Sequence, residues 1–227
     1  MIAIIGAMDE EVKALTDRLS DVHINTIAGR SFWEGRLSGQ PVVVFQSGIG
    51  LAMAAMSLTL ASQHYTLSAV INIGTAGGLD VSLRVLDVVV ADKITYHDFD
   101  ISAFGNPRNF SEQNRFVFKS DANLMDALRR VGPLDHLKIG PLVSGNQFIS
   151  TEAQYAEIMR YYPEALAVEM EGAAIAHVAS ELRLPFLIVR SISDLVVHAR
   201  NEMTFDAYLA KASERSAAMV EALLSEL

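Results

Sequence analysis

Three features of the sequence predict an α/β fold: one domain built on a mixed, twisted sheet with helices around it. Apolar runs of strand length alternate with helix-length segments along the whole chain. Residues 168–194 repeat that alternation as strand, helix and strand. Val168-Glu169-Met170-Glu171-Gly172 and Phe186-Leu187-Ile188-Val189-Arg190-Ser191-Ile192-Ser193-Asp194 each break from apolar to polar, and Ala173 to Leu182 between them is helix-like. Polar loops, several rich in glycine, follow the strand-like runs, as expected where a ligand sits close to backbone at one rim of a sheet.

In chain order, Ile2–Ile5 reads as a buried strand, and Asp9 caps a helix reaching about Leu19. Ser31–Leu37 and Val42–Gln46 form a hairpin around Ser38-Gly39-Gln40-Pro41. Leu51–His64 is a helix rich in Ala and Met, most simply a core helix, whose small residues also suit a subunit interface. Strands are expected at Ala69–Ile73 and Val85–Ala91, and Phe104–Phe118 is irregular. Ser120 or Asp121 caps a helix to about Val131, and Leu137–Val143 is a further strand. Thr151 and Gln154 are spaced as a capping box for a helix to Tyr161. After the 168–194 unit comes a long amphipathic helix, Thr204 to Leu224. No repeat, low-complexity tract or linker divides residues 1–227, so one domain is expected.

Hydrophobic residues make up 51% of the chain, and 27 acidic against 18 basic side chains leave a net charge of −9. That field opposes nonspecific nucleic-acid binding and anionic membranes. With no cysteine, disulfides and thiolate chemistry are excluded, and zinc would depend on six scattered histidines and on carboxylates. Met1-Ile2-Ala3-Ile4-Ile5 lacks a basic n-region, so no targeting segment and a cytoplasmic location are expected. Leu37 to Leu79 contains no Asp, Glu, Lys or Arg. Pro41, Gly48, Gly50 and Asn72-Ile73-Gly74 interrupt it, whereas a membrane helix needs about 20 predominantly apolar residues in a row.

As a strand–helix–strand unit, residues 168–194 should place two neighbouring parallel strands side by side and bring Glu171, Asp194 and Arg190 to one rim of the sheet. A carboxylate ending a buried strand is costly unless it has a partner or a task. Glu11 lies in the first turn of its helix, where the dipole favours an ionised carboxylate; with Asp9 and Glu10 beside it, not all three can serve as one cap. Gly48-Ile49-Gly50 and Gly74-Thr75-Ala76-Gly77-Gly78 could cradle phosphate. Neither has the Lys-Ser or Lys-Thr of a phosphate loop, and Met53 stands where a dinucleotide fingerprint needs its third glycine. Tyr96-His97-Asp98-Phe99-Asp100 looks like a metal cluster, but in a strand His97 and Asp98 face opposite sides. Neither a metal nor a cofactor is expected. No Gly-x-Ser-x-Gly elbow marks a serine hydrolase.

Five segments occur in one order: Gly6-Ala7-Met8-Asp9-Glu10-Glu11, Gln46-Ser47-Gly48-Ile49-Gly50, Asn72-Ile73-Gly74-Thr75-Ala76-Gly77-Gly78, Val168-Glu169-Met170-Glu171 and Arg190-Ser191-Ile192-Ser193-Asp194. Together they closely resemble the 5′-methylthioadenosine/S-adenosylhomocysteine nucleosidase family, and Tyr96 to Gly105 and Thr204-Phe205-Asp206 extend the likeness over essentially the whole chain. The resemblance implies the nucleoside phosphorylase/hydrolase fold, a three-layer mixed sheet flanked by helices, usually as a homodimer without metal or cofactor. It implies cleavage of the adenine N-glycosidic bond of methylthioadenosine, S-adenosylhomocysteine and usually 5′-deoxyadenosine, with products feeding methionine salvage and autoinducer-2 synthesis.

The resemblance also implies roles. Asp194 protonates adenine N7, oriented by Ser193. Glu171 holds the ribose hydroxyls beside Met170. Glu11 activates water, helped by Arg190 and Thr75. The Ile149 backbone reads the adenine edge while Phe148 stacks on the ring. Met8, Ile49, Phe104 and Phe205 line the pocket for the 5′ substituent, and Ala76, Gly77 and Ile101 are counted among the substrate-binding positions. Three positions depart from the family's usual pattern: Asn106 for a Tyr in a loop that reaches the partner subunit, Asn146 for Asp, and Gly172 for Ala.

Rival readings remain. A nucleoside phosphorylase of the same fold would carry an Arg where Asn72 stands, and Glu11 would repel phosphate. The same catalytic set could cleave aminofutalosine, and a noncatalytic nucleoside-binding module would need none of Glu11, Glu171 and Asp194.

Overall fold

A computed structural model describes residues 1–132, 136–196 and 201–227, with only the backbone described at 201–204, 206 and 207. The side chains of Thr204 and Asp206, part of one sequence motif, therefore lie outside the described residues. Along the chain the elements are β1 (Ile2–Gly6), α1 (Asp9–Thr16), β2 (Ser20–Ile27), β3 (Arg30–Leu37), β4 (Gln40–Gln46), α2 (Leu51–His64), β5 (Ala69–Gly78) and β6 (Val88–Tyr96). There follow β7 (Phe118–Lys119), α3 (Ala122–Arg130), β8 (Leu137–Ser144), α4 (Glu152–Tyr161), β9 (Ala167–Glu169), α5 (Gly172–Glu181), β10 (Phe186–Leu195) and α6 (Asn201–Leu224).

These strands form one mixed sheet in the order β10-β6-β8-β9-β5-β1-β4-β3-β2, and β10 also pairs with β5. Strands β5, β10, β6, β8 and β9 thus close into a ring, from which β1, β4, β3 and β2 extend as a wing. The strand period of two divides the apolar side chains between two cores. Ala3 and Ile5 of β1, with Ile188 of β10, pack under α2 and α5 around Ala54, Leu58 and Ile175. Ile2, Ile4 and Val189 point the other way, onto Leu15 of α1, Leu128 of α3 and Val220 of α6. The sheet is therefore flanked by helices on both faces. Asp121 caps α3 by accepting from Asn123 and Leu124, and the Thr151–Gln154 capping box opens α4.

Four sequence expectations need correction. Helix α1 has Met8, not Asp9, at its N-cap and ends at Thr16 rather than near Leu19, and Ser20–Ile27 is a strand. Its sequence does alternate, Val22 and Ile24 between Asp21, His23 and Asn25, but the run is short and both apolar side chains are exposed on this edge strand. The strand expected at Val85–Ala91 begins at Val88, after Leu86 turns through a left-handed φ of 73°, and continues to Tyr96. Gly74–Gly78 is strand, not loop. Finally, β9 and β10 are not neighbours: β9 lies between β8 and β5, and β10 between β5 and β6.

Candidate active site

The site is created by an exchange of partners along one edge of β5. Ala69 to Asn72 pair in parallel with β1, while Gly77 and Gly78 pair antiparallel with β9 on the same edge. Between those stretches β5 has lost one neighbour and not yet gained the next, the kind of divergence at which α/β sheets bind ligands. Glu11 fills the opening. Its Oε1 accepts from the Thr75 N–H at 3.0 Å and from Thr75 Oγ1 at 3.3 Å. Its Oε2 accepts from the N–H groups of Ala7, at 2.7 Å, and Met8, at 3.1 Å. Asp9 and Glu10 face solvent, so only Glu11 of the acidic run is buried. A Cβ at Gly74 would stand 2.9 Å from Glu11 Oε1, which explains the glycine. Burial pushes the Glu11 carboxyl up, against the charge of Arg190 and its backbone hydrogen bonds, which pull it down.

Asp194 is aimed by a bulge. The β10–β5 register runs regularly to Ile192 opposite Ala76, then slips so that Asp194 stands opposite Gly77. Ser193 is the extra residue. In regular alternation Asp194 would point with Ile192 into the apolar core; the slip turns it to the cavity. Ser193 Oγ lies 2.8 Å from Asp194 Oδ1 and donates to it. Both residues are buried.

Glu171 follows β9 and enters the cavity from the other wall, where its Oε1 accepts from the Gly50 N–H at 2.7 Å. Gly50 adopts a φ of 96°, a conformation that a side chain would strain. Burial first, and the charge of Glu169 second, push the Glu171 carboxyl up to about 8, with Arg190 pulling the other way. Arg190 itself is turned away from the cavity. Its Nη2 donates to Glu169 Oε2 and Asn72 Oδ1, each at 2.5 Å, and its Nη1 to the carbonyls of Asn72 and Val189.

These walls enclose a cavity of about 350 Å³, within the range of small-molecule sites. Glu11, Thr75, Ala76, Gly77, Ser193 and Asp194 line it beside β5. Met170 and Glu171 line the opposite wall, and Met8, Ile49, Phe148, Ile149 and Phe205 surround the remainder. Phe148 and Phe205 meet edge to face with centroids 5.7 Å apart. Arg190, Ile101 and Phe104 are not in the lining; Phe104 is 83% exposed on a turn of 3-10 helix. The sequence reading missed Glu169, Gln147, Ala7, Val168 and Val196, which do line it. A signal existed for Glu169, because alternate residues 169 and 171 emerge from one short strand. Among the described residues no Lys or Arg lines the cavity.

The three departures have structural correlates. Asn146 Oδ1 accepts from the Leu51 N–H at 3.0 Å at the start of α2, a bond an amide oxygen can make as a carboxylate would. A Cβ at Gly172 would lie 2.7 Å from Ile94 Cδ1. Asn106 is buried and bonded within its own loop, donating to Asn114 Oδ1 and accepting from the Arg115 N–H, both at 2.9 Å. His97 and Asp98 hold the loop after β8: the His97 N–H donates to Ser144 O, and Asp98 Oδ2 accepts from the Asn146 N–H. Among the described residues no group of three or more His, Cys, Asp or Glu could hold a metal ion, and no helix is long and apolar enough to cross a membrane.

The Phosphorylase superfamily matches residues 1–225. The 5′-methylthioadenosine/S-adenosylhomocysteine nucleosidases of Staphylococcus haemolyticus (strain JCSC1435) and Staphylococcus aureus (strain JH9) are 40% and 41% identical, with all of each chain covered. The nucleosidase from S. pneumoniae solved with the transition-state inhibitor MT-ImmA superimposes with a TM-score of 0.94 at 34% identity, over 99% of this chain and 98% of that one. Sequence and fold agree: this chain belongs to the phosphorylase superfamily and, within it, to the 5′-methylthioadenosine/S-adenosylhomocysteine nucleosidase family.

Proposed function

We propose that the protein hydrolyses the N-glycosidic bond of 5′-methylthioadenosine and S-adenosylhomocysteine, and of 5′-deoxyadenosine, releasing adenine and the free sugar. One observation carries this reading. Three acidic side chains, Glu11, Glu171 and Asp194, converge on a nucleoside-sized cavity, with Glu169 beside them tied to Arg190, and no described Lys or Arg lines it. Such a cavity suits a ribosyl group that turns cationic as adenine leaves, and it repels phosphate.

The chemistry divides among the residues. The Asp194 carboxyl gives a proton to adenine N7, and Ser193 orients it. As the C1′–N9 bond breaks, its electron pair stays with adenine, now a neutral leaving group. Water attacks C1′ and passes a proton to Glu11, which Thr75 holds in place. Glu171 binds the ribose hydroxyls beside Met170, and Phe148 and Ile149 bind the base. Arg190, bonded to Glu169 and Asn72, acts on this set through its charge. No cofactor enters, and the protein works as a cytoplasmic homodimer whose products return to methionine salvage.

The test is adenine release from methylthioadenosine, S-adenosylhomocysteine, 5′-deoxyadenosine and aminofutalosine, in Hepes and in phosphate, with the sugar product identified. Free 5-methylthioribose in both buffers is expected. A sugar 1-phosphate formed in phosphate would move the protein to the phosphorylases, and a preference for aminofutalosine would move it to menaquinone synthesis. Binding without release of adenine from any of the four would leave a noncatalytic module.

A further inference from the structure

Glu171 occupies the N-cap position of α5, yet its side chain makes no cap hydrogen bond to that helix. Its carboxylate accepts instead from Gly50, across the cavity wall. Two other residues take the first three N–H groups at this end of the helix, including that of Ala173, which an N-cap side chain would ordinarily attract. Glu169 Oε2 accepts from the N–H of Glu171 at 3.0 Å and of Gly172 at 2.8 Å. Ser144 Oγ accepts from the Ala173 N–H at 2.7 Å and donates to Glu169 Oε1. The same Glu169 carboxylate takes the Arg190 guanidinium at 2.5 Å, with both side chains almost wholly buried.

We propose that Glu169 and Ser144 are positioning residues for the sugar: together they cap α5 in place of Glu171, and Glu169 pairs with Arg190, leaving the Glu171 carboxyl in the cavity for the ribose hydroxyls. The inference rests on the nucleoside-hydrolase reading and adds to it two residues with no assigned task. Its physical basis is competition. The open end of α5 and the Arg190 cation are the two positive features near Glu171, and burial leaves no water to screen either. With Glu169 in place both are satisfied. Without that charge, Glu171, which stands at the N-cap and already feels Arg190, answers them and turns from the cavity towards the helix.

A role confined to stability would weaken every ligand alike, whereas positioning affects only ligands that carry ribose. Glu169→Gln and Ser144→Ala are therefore compared with wild type by calorimetry, using adenine and 5′-methylthiotubercidin, a neutral analogue that keeps the ribose. Loss of the hydrogen bonds between Glu171 and the ribose hydroxyls should weaken the analogue about tenfold in Glu169→Gln, with adenine unchanged within about twofold. Ser144→Ala should shift the same ratio in the same direction by less, and it decides the matter if Glu169→Gln does not fold. Equal weakening of both ligands, or of neither, overturns the proposal. Wild-type protein that binds adenine but neither binds nor cleaves the nucleoside would overturn the hydrolase reading, and this inference with it.

Discussion

Asp194 and Glu11 are both buried carboxyl residues at the edges of β5, and the reading above gives them opposite tasks. Asp194→Asn keeps size and polarity but cannot deliver the proton to N7. General acid catalysis commonly supplies about 10²–10⁴-fold in rate, so turnover of methylthioadenosine should fall by that order while inhibitor binding persists. Turnover close to wild type would remove Asp194 from its role. Glu11→Gln should likewise lower kcat with little change in ground-state affinity, the pattern of an interaction made mainly in the transition state. Loss of affinity at an unchanged maximal rate would make Glu11 a binding residue. Glu171 gives a pH signature. Its carboxyl moves from an ordinary 4.5 to about 8 in the folded protein, so the fold holds that proton more tightly than the unfolded chain does. The resulting stability is complete below about pH 4.5 and drains away as pH rises towards about 8. The thermal midpoint of ligand-free protein should therefore decline more steeply with rising pH in wild type than in Glu171→Gln; parallel profiles would contradict this origin of the shift. Glu11 and Asp194 were legible through their motifs. The buried ion pair of Arg190 was not, because Glu169 and Arg190 are 21 residues apart and only the folded sheet brings them together.

At the scale of elements, the loop after β8 shows how a side chain without a catalytic task shapes the site. A Cβ at Gly145 would fall on the His97 ring at Nε2 and Cε1, far inside contact distance. Gly145→Ala must displace either the His97 ring or the loop that carries Phe148 and Ile149. Overpacking of this kind typically costs about 1–3 kcal/mol. We expect a lower midpoint in chemical denaturation together with weaker adenine binding, and an unchanged adenine affinity would show that the loop tolerates the shift. Helices were the more legible elements. The starts of α3 and α4 follow from Asp121, Thr151 and Gln154, since capping is local chemistry within a few residues. Strand β2 left a weaker mark: Val22 and Ile24 alternate with polar residues, but an exposed edge strand obtains its hydrogen bonds from β3 and buries no apolar face that would lengthen the pattern.

At the scale of the whole molecule, α2 bears on assembly. Ala54, Ser57, Leu58 and Ala61 are buried in the core, while Met56 remains 46% exposed on the outer side. Ile49, Phe104 and Phe148 are further exposed apolar side chains. An obligate interface resembles a core cut in two and can exceed about 2,000 Å². We expect light scattering to give a dimer of twice 24.7 kDa, and Met56→Arg to weaken it without unfolding the chain, because that side chain leaves no core position empty. A fully active monomer at assay concentration would remove the dimer and leave the hydrolase chemistry standing.

The sequence by itself determined the α/β class and most helix boundaries, because periodicity and capping are written within short stretches, and its ordered motifs singled out Glu11, Glu171 and Asp194, all three of which line the cavity. It could not show how these residues meet. The expectation that β9 and β10 run side by side was wrong, and the two walls of the cavity come instead from β5 exchanging β1 for β9 along one edge. Nor did alternation predict where Asp194 points, since the slip at Ser193 reverses it. Strand pairing and register are nonlocal: any apolar run can satisfy its hydrogen bonds with several partners, and the packing of the whole sheet selects among them.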